Sequence, residues 1–175
     1  GDMDGDLYDD FVIASGNSVY LFEGREACAQ GRGEPTENLT LGGDAVASFA
    51  SSETDPGIGA LGDVTGDGLA DFVYADGNEP EVVLGDVNRD WGSQSFDFEP
   101  AASGFLAAPG DVDADGLNDL LLGNADGNAY LVLGKELSDV QATLTDVRAA
   151  ASAPYAAGAD LNSDGSSDLL LVPGE

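Results

Sequence analysis

The sequence predicts an all-β chain, a segment of a β-propeller built of four-stranded blades, on three observations. The first is one carboxylate-rich loop that occurs four times. It reads Asp2-Met-Asp4-Gly-Asp6-Leu-Tyr8-Asp-Asp10, Asp63-Val-Thr65-Gly-Asp67-Gly-Leu69-Ala-Asp71, Asp111-Val-Asp113-Ala-Asp115-Gly-Leu117-Asn-Asp119 and Asp160-Leu-Asn162-Ser-Asp164-Gly-Ser166-Ser-Asp168. The second is the short apolar run that follows each loop at once. The third is the spacing: the loops start at residues 2, 63, 111 and 160, and a repeat of about 50 residues holding four short strands is the signature of a propeller blade.

The elements follow in order. Phe11–Ala14, Phe72–Ala75, Leu120–Leu122 and Leu169–Val172 suit strands buried on both faces. Gly16-Asn17, Gly77-Asn78 and Gly127-Asn128 have turn composition. Val19–Phe22, Val82–Leu84 and Tyr130–Leu133 complete hairpins, each run followed within two residues by a glycine, at Gly24, Gly85 and Gly134. Third strands are predicted at Asn38–Leu41, Gln94–Phe98 and Val140–Leu144. A fourth strand is predicted ahead of each later loop, at Ile58–Leu61, Phe105–Ala108 and Tyr155–Ala157. The Gly-rich and charged stretch from Glu23 to Glu37 lengthens the first interval and reads as an exposed insertion. The 175 residues then form one segment with units at about 1–45, 46–100, 101–148 and 149–175, two blades complete and two partial. Such a segment is expected either to belong to a longer chain or to associate with further copies, because open strand edges invite pairing.

Oxygen side chains fall at loop positions 1, 3, 5 and 9. Three or four carboxylates crowded together repel one another unless a cation sits among them. Calcium suits such a set, since it takes 6 to 8 oxygens in flexible geometry. The expected ligands in the third loop are Asp111, Asp113, Asp115, the backbone carbonyl of Leu117, and Asp119. The first loop offers Asp2, Asp4, Asp6, Tyr8 and Asp10 in the same roles. The second offers Asp63, Thr65, Asp67, Leu69 and Asp71, and the fourth Asp160, Asn162, Asp164, Ser166 and Asp168. Up to four Ca2+ ions are therefore expected. Thr65 and Asn162 are neutral donors, so the second and fourth loops should bind more weakly. The first loop has Leu7 where the others have glycine, and the chain opens at Gly1, so that site is expected to be frayed. An EF-hand is excluded: position 12 is Ile13, Tyr74, Leu122 or Leu171, inside an apolar run, where that motif needs a bidentate Glu.

Composition limits the function classes. The formal charge is −29, with one lysine, Lys135, and no histidine, which argues against nucleic acid or an anionic membrane as partner. No apolar run is long enough to span a bilayer. Without histidine and with a single cysteine, Cys28, the common nucleophile–base pairs cannot be assembled. The clustered carboxylates are accounted for by metal ligation, so no enzyme is predicted. Cys28 offers no disulfide within the chain. Asn38 begins a glycosylation sequon. Trp91 and Phe96 are expected to pack between blades. Sites of this kind in extracellular modules bind calcium at roughly 10⁻⁴–10⁻³ M, which points to a secreted or cell-surface location.

The run Gly-Asp-Val-Asp-x-Asp-Gly-x-x-Asp-Leu-Leu-x-Gly from Gly110 to Gly123 resembles the FG-GAP repeat of the integrin α-subunit propeller and its bacterial relatives. The likeness covers all four loops and the hairpins after them. The Phe-Gly and Gly-Ala-Pro elements that name the family survive only as echoes in Phe105 and Pro109, so the chain resembles the looser bacterial and secreted forms. The resemblance implies a calcium-stabilised propeller used for adhesion or ligand binding, with an extracellular protein or a glycan as partner. A lectin-like propeller and a non-catalytic scaffold of a secreted polysaccharide-degrading enzyme are the alternatives.

Overall fold

The structure is a computed structural model, and it describes residues 1–24, 40–77, 79–95, 106–123, 129–134 and 155–172. Twelve strands lie among these residues, arranged in four antiparallel sheets. The first sheet holds β1 (Phe11–Ser15), β2 (Ser18–Phe22) and β3 (Ala47–Ala50). The second holds β4 (Ile58–Gly62), β5 (Asp71–Asp76), β6 (Glu79–Val83) and β7 (Ser93–Ser95). The third holds β8 (Leu106–Gly110), β9 (Asp119–Gly123) and β10 (Ala129–Val132), and the fourth β11 (Tyr155–Ala159) and β12 (Asp168–Val172). Within each sheet the order in space is the order in sequence, so every sheet is a meander.

The hairpins form where the turn chemistry places them. Ser15 faces Ser18 across Gly16-Asn17, and Gly16 has φ +60°. Asp76 faces Glu79, with Gly77 at φ +67° in the same place. A positive φ in a two-residue hairpin loop is open to glycine at no steric cost.

The third strand of the first sheet departs from expectation. Residues Thr40–Gly43 form a turn rather than part of a strand, and the strand that pairs with β2 is β3, with Leu21 facing Ala47 and Ser18 facing Ala50. Local polar contacts win at Thr40: its N–H and Oγ1 both donate to Asp44 Oδ2 at 2.8 Å, and its carbonyl accepts from Gly43 and Asp44. Side-chain bonds of this type offer the backbone an alternative to a sheet ladder. The first sheet accordingly runs past residue 45 to Ala50. In the second sheet the third strand is Ser93–Ser95. The predicted strand at Val140–Leu144, Phe96, Cys28, Lys135 and the Asn38 sequon lie outside the described residues.

Packing between consecutive sheets makes two cores. Met3, Val19, Leu21, Phe49, Phe72, Tyr74 and Val83 fill the space between the first and second sheets, with Trp91 packed against them. Phe49 meets the edge of Phe72 with ring centroids 5.6 Å apart, and lies 5.9 Å from Tyr74. Leu61, Val64, Val73, Val82, Leu120, Leu122 and Val132 fill the space between the second and third sheets. Alternate residues of β5 therefore serve different cores: Phe72 and Tyr74 face one way, Val73 the other. This is the period-2 alternation of a strand applied to a sheet covered on both faces, and it explains the uninterrupted apolar run. The leading strands β4, β8 and β11 lie side by side, so successive loops emerge next to one another.

A repeated carboxylate loop as candidate metal centre

The second, third and fourth loops join β4 to β5, β8 to β9 and β11 to β12; the first leads into β1. Each winds around its position-1 carboxylate. Asp2 Oδ1 accepts from the N–H of Gly5 and Asp6, and Oδ2 from Leu7. Asp63 binds Thr65, Gly66 and Gly68. Asp111 binds Asp115 and Gly116, and Asp160 binds Asp164 and Gly165. The position-5 carboxylate then accepts from the N–H of position 7: Tyr8 to Asp6, Leu69 to Asp67, Leu117 to Asp115 and Ser166 to Asp164, all at 2.9–3.0 Å. Position 6 turns left-handed, at φ +87°, +93° and +95° in Gly68, Gly116 and Gly165. Leu7 takes φ +73° in the first loop, a conformation uncommon for a residue with a Cβ. The first loop thus holds the same hydrogen-bond pattern as its counterparts and is not frayed.

Position 9 has a separate task. Asp10, Asp71 and Asp119 each spend both oxygens on backbone N–H groups. One oxygen accepts from position 2 of the same loop: Met3 at 2.8 Å, Val64 at 2.9 Å and Val112 at 2.7 Å. The other accepts from the glycine that closes the following hairpin: Gly24 at 2.7 Å, Gly85 at 2.8 Å and Gly134 at 2.9 Å. Asp168 makes the first of these bonds, from Leu161 at 2.8 Å. The glycine is obligatory for contact. A Cβ on Gly85 would lie 2.5 Å from Leu69 Cβ and 2.8 Å from the Ala70 carbonyl, and one on Gly24 2.5 Å from the Asp9 carbonyl.

The electrostatics separate the two positions. Burial pushes the Asp71 carboxyl up to about 6 against the pull of the Val64 and Gly85 N–H groups, and the Asp67 and Asp63 charges push the same way. Burial likewise raises Asp10 and Asp119. Asp2 moves down: burial opposes ionisation there, but the N–H groups of Leu7, Gly5 and Asp6 outweigh it. Asp164 is also lowered, chiefly by the Ser166 N–H.

Among the described residues, two sets of three carboxylates bring an oxygen each within 4.8 Å of one another: Asp2, Asp4 and Asp10, and Asp111, Asp113 and Asp115. At that separation two like charges repel by about 3–4 kcal/mol at an effective dielectric constant near 20. Thr65 Oγ1, at position 3 of the second loop, is buried without a hydrogen-bond partner, and a buried hydroxyl left unpaired is unfavourable. The all-oxygen, charge-crowded sets of the first and third loops, and the orphaned hydroxyl of the second, each fit a hard divalent cation.

Residues 2–74 and 63–122 match the FG-GAP-like repeat. The chain belongs to this family. No curated protein matches it significantly. The FG-GAP-like match spans the first three loops, the hairpins after the first two, and β9 as far as Leu122.

The FG-GAP-like loops are also joined to one another. In each case the N–H at position 8 donates to the position-1 carbonyl of the preceding loop: Ala70 to Asp2 at 2.8 Å, Asn118 to Asp63 at 3.1 Å, and Ser167 to Asp111 at 2.7 Å. The Asn118 side chain adds a bond to the Leu61 carbonyl at 2.8 Å. Sequence reasoning missed this stitch, since nothing in position 8 marks it. It also missed Arg89, whose Nη2 lies 2.7 Å from Asp4 Oδ2. The glycines that follow the second run of each hairpin, at 24, 85 and 134, were the visible signal for the position-9 clasp; their recurrence alone does not disclose their partner.

Proposed function

We propose that the chain is a non-enzymatic, extracellular calcium-binding β-propeller module serving adhesion, ligand binding or assembly. The observation that carries the metal reading is the gathering of three carboxylates in each of two loops, at positions 1, 3 and 9 of the first and 1, 3 and 5 of the third, within a loop frame fixed by backbone hydrogen bonds. Asp111, Asp113 and Asp115 would hold one ion; Asp2, Asp4 and Asp10 would hold another. In the second loop Thr65 would contribute its unpartnered hydroxyl beside Asp63 and Asp67. The carbonyls of Tyr8, Leu69, Leu117 and Ser166 would complete the shells, with Asp6, Asp71, Asp119, Asp160, Asn162, Asp164 and Asp168 in the remaining ligand places. When bound, calcium supplies the positive charge that offsets the clustered carboxylates.

The propeller reading is supported by the family membership, by the packing of the first three sheets against one another in sequence order, and by the adjacent leading strands β4, β8 and β11. A charge of −29 favours a partner other than nucleic acid. Among the described residues no helix is long and apolar enough to cross a membrane. Calorimetric titration with Ca2+, with thermal unfolding in calcium and in chelator, tests the metal reading. Each loaded site adds about 1.4 kcal/mol when calcium stands tenfold over its Kd, so the melting temperature should fall sharply on chelation. No heat of binding and no chelator effect would end it. A binding screen against glycans and extracellular proteins, with and without calcium, tests the role.

A further inference from the structure

We propose that Arg89 is a tethered cation that sets the divalent-ion affinity of the first loop and makes it bind calcium more weakly than its four carboxylates would otherwise dictate. The inference rests on the calcium reading above. Arg89 lies in the segment after β6, in the second sheet, yet its guanidinium reaches the loop that leads into the first sheet. Nη2 stands 2.7 Å from Asp4 Oδ2 and 3.9 Å from Asp6 Oδ2, and Nη1 stands 3.1 Å from Glu23 Oε1. The Asp4 side chain is 1% exposed and that of Arg89 is 47% exposed, so the carboxylate is fixed while the arginine can leave toward solvent.

The backbone aims the side chain. Arg89 adopts φ +60°, and its N–H donates to the Asp86 carbonyl at 2.8 Å, while Asn88 N–H donates to Asp86 Oδ1 at 2.6 Å. Asp86 is itself anchored to the loop, its N–H donating to the Met3 carbonyl at 2.9 Å. The turn and the loop are thus one hydrogen-bonded unit. Counted from the hairpin glycine, Arg89 stands where the third unit has the uncharged Ser138.

The consequence is electrostatic. The first and third loops carry four carboxylates each at positions 1, 3, 5 and 9, but in the first loop one positive charge is already supplied. A divalent ion shared by Asp4 and Asp6 must either expel the guanidinium or bind beside it. Arg89 therefore holds the first loop in shape at low calcium and opposes loading.

Tyr8 makes the loop separately observable: it stands at position 7, where the other loops have Leu69, Leu117 and Ser166. Terbium emission sensitised by tyrosine, and lost in Tyr8→Phe, reports this loop; each variant's terbium Kd is titrated directly, and its calcium Kd is then taken from Ca2+ competition corrected for that terbium Kd. In Arg89→Gln the calcium Kd should fall about tenfold, the scale of effect of one charge within about 4–6 Å, and the terbium Kd should fall at least as far. Arg89→Lys keeps the charge on a single point and should lie between wild type and Arg89→Gln. A calcium Kd unchanged or raised in Arg89→Gln would overturn the proposal, a raised one showing that Arg89 positions Asp4 for the ion. If Arg89→Gln does not fold, the calcium Kd of Arg89→Lys decides: lower than wild type supports the proposal, equal or higher refutes it. Absence of any Tyr8-dependent emission in wild type and variants also refutes it. Calorimetry separates the two failures, since calcium heat without a first-loop shift defeats the Arg89 inference alone, and no calcium heat defeats the calcium reading.

Discussion

The base and the rim of each loop use the same residue type for opposite ends. At the base, Asp10, Asp71 and Asp119 are buried and give both oxygens to backbone N–H groups that belong to the loop and to the end of the next hairpin. At the rim, Asp113 and Asp115 are exposed and stand near Asp111. Burial raises the base carboxylates, whereas Asp2 at the rim is lowered by its N–H donors. A spacing of aspartates is therefore not one chemical unit. In the second and third loops the last acid fastens the loop to the end of the hairpin through backbone N–H groups, whereas in the first loop Asp10 also stands in the carboxylate set with Asp2 and Asp4. On the calcium reading proposed above, the rim acids depend on the ion most.

Three experiments break or sharpen that division. The largest effect is expected from Asp119→Ala, which leaves the buried N–H groups of Val112 and Gly134 without a partner and should cost about 3–5 kcal/mol. Urea unfolding should show that loss in chelator, where no ion contributes, as well as in calcium. Asp115→Asn, by contrast, should change metal-free stability by no more than about 0.5 kcal/mol and remove the calcium-dependent gain at that loop. Equal behaviour of the two variants would erase the distinction.

Gly85→Ala comes next. The new methyl group would meet the Ala70 and Met3 carbonyls at 2.8 and 2.9 Å. These are backbone atoms that cannot rotate away, so overpacking of about 1–3 kcal/mol is expected. Gly68→Ala serves as its comparison, because a Cβ there meets nothing within 4 Å and only the positive φ is strained. A larger loss at Gly68 than at Gly85 would contradict the close contact.

The smallest effect is the pH profile of the metal-free protein. Asp71 has its carboxyl raised from 3.8 to about 6, so the folded state favours its protonated form. The stabilisation from that protonation is complete below about pH 3.8 and is lost as pH rises through about 6. Asp10 and Asp119 move in the same direction. Stability in chelator should therefore rise as pH falls from 7 toward 4. Asp2 and Asp164, lowered, act oppositely, and their contribution is lost only as pH falls below 3.8. Unfolding free energies in chelator at pH 7, 5.5 and 4.5 check this; a decline over that range would show that the base carboxylates are not held up by burial.

Much of the strand pattern was legible in the residues. Runs such as Phe72–Ala75 are apolar without interruption because β5 feeds two cores, and that signal survives in a single sequence. β3 was not legible: of Ala-Ser-Phe-Ala only Phe49 is buried, while the preceding Thr40 had better apparent strand character and is held in a turn by Asp44. In the loops, the spacing of acids showed which residues could meet an ion. It did not show that position 9 is occupied by two N–H donors, because one donor is a glycine 14 or 15 residues away whose role is steric and hydrogen-bonding at once. Arg89 was hidden for a similar reason. Its contact with Asp4 spans two sheets, and no local pattern encodes it.

The joint between neighbouring loops is made by main-chain atoms, with Ala70, Asn118 and Ser167 equally able to supply it. A gene segment encoding one sheet with its loop would carry this coupling wherever it was copied, free of any need for matched side chains. Tandem duplication of such a segment copies the main-chain joint with it, and later drift at that position leaves those bonds intact while the apolar faces between sheets adjust.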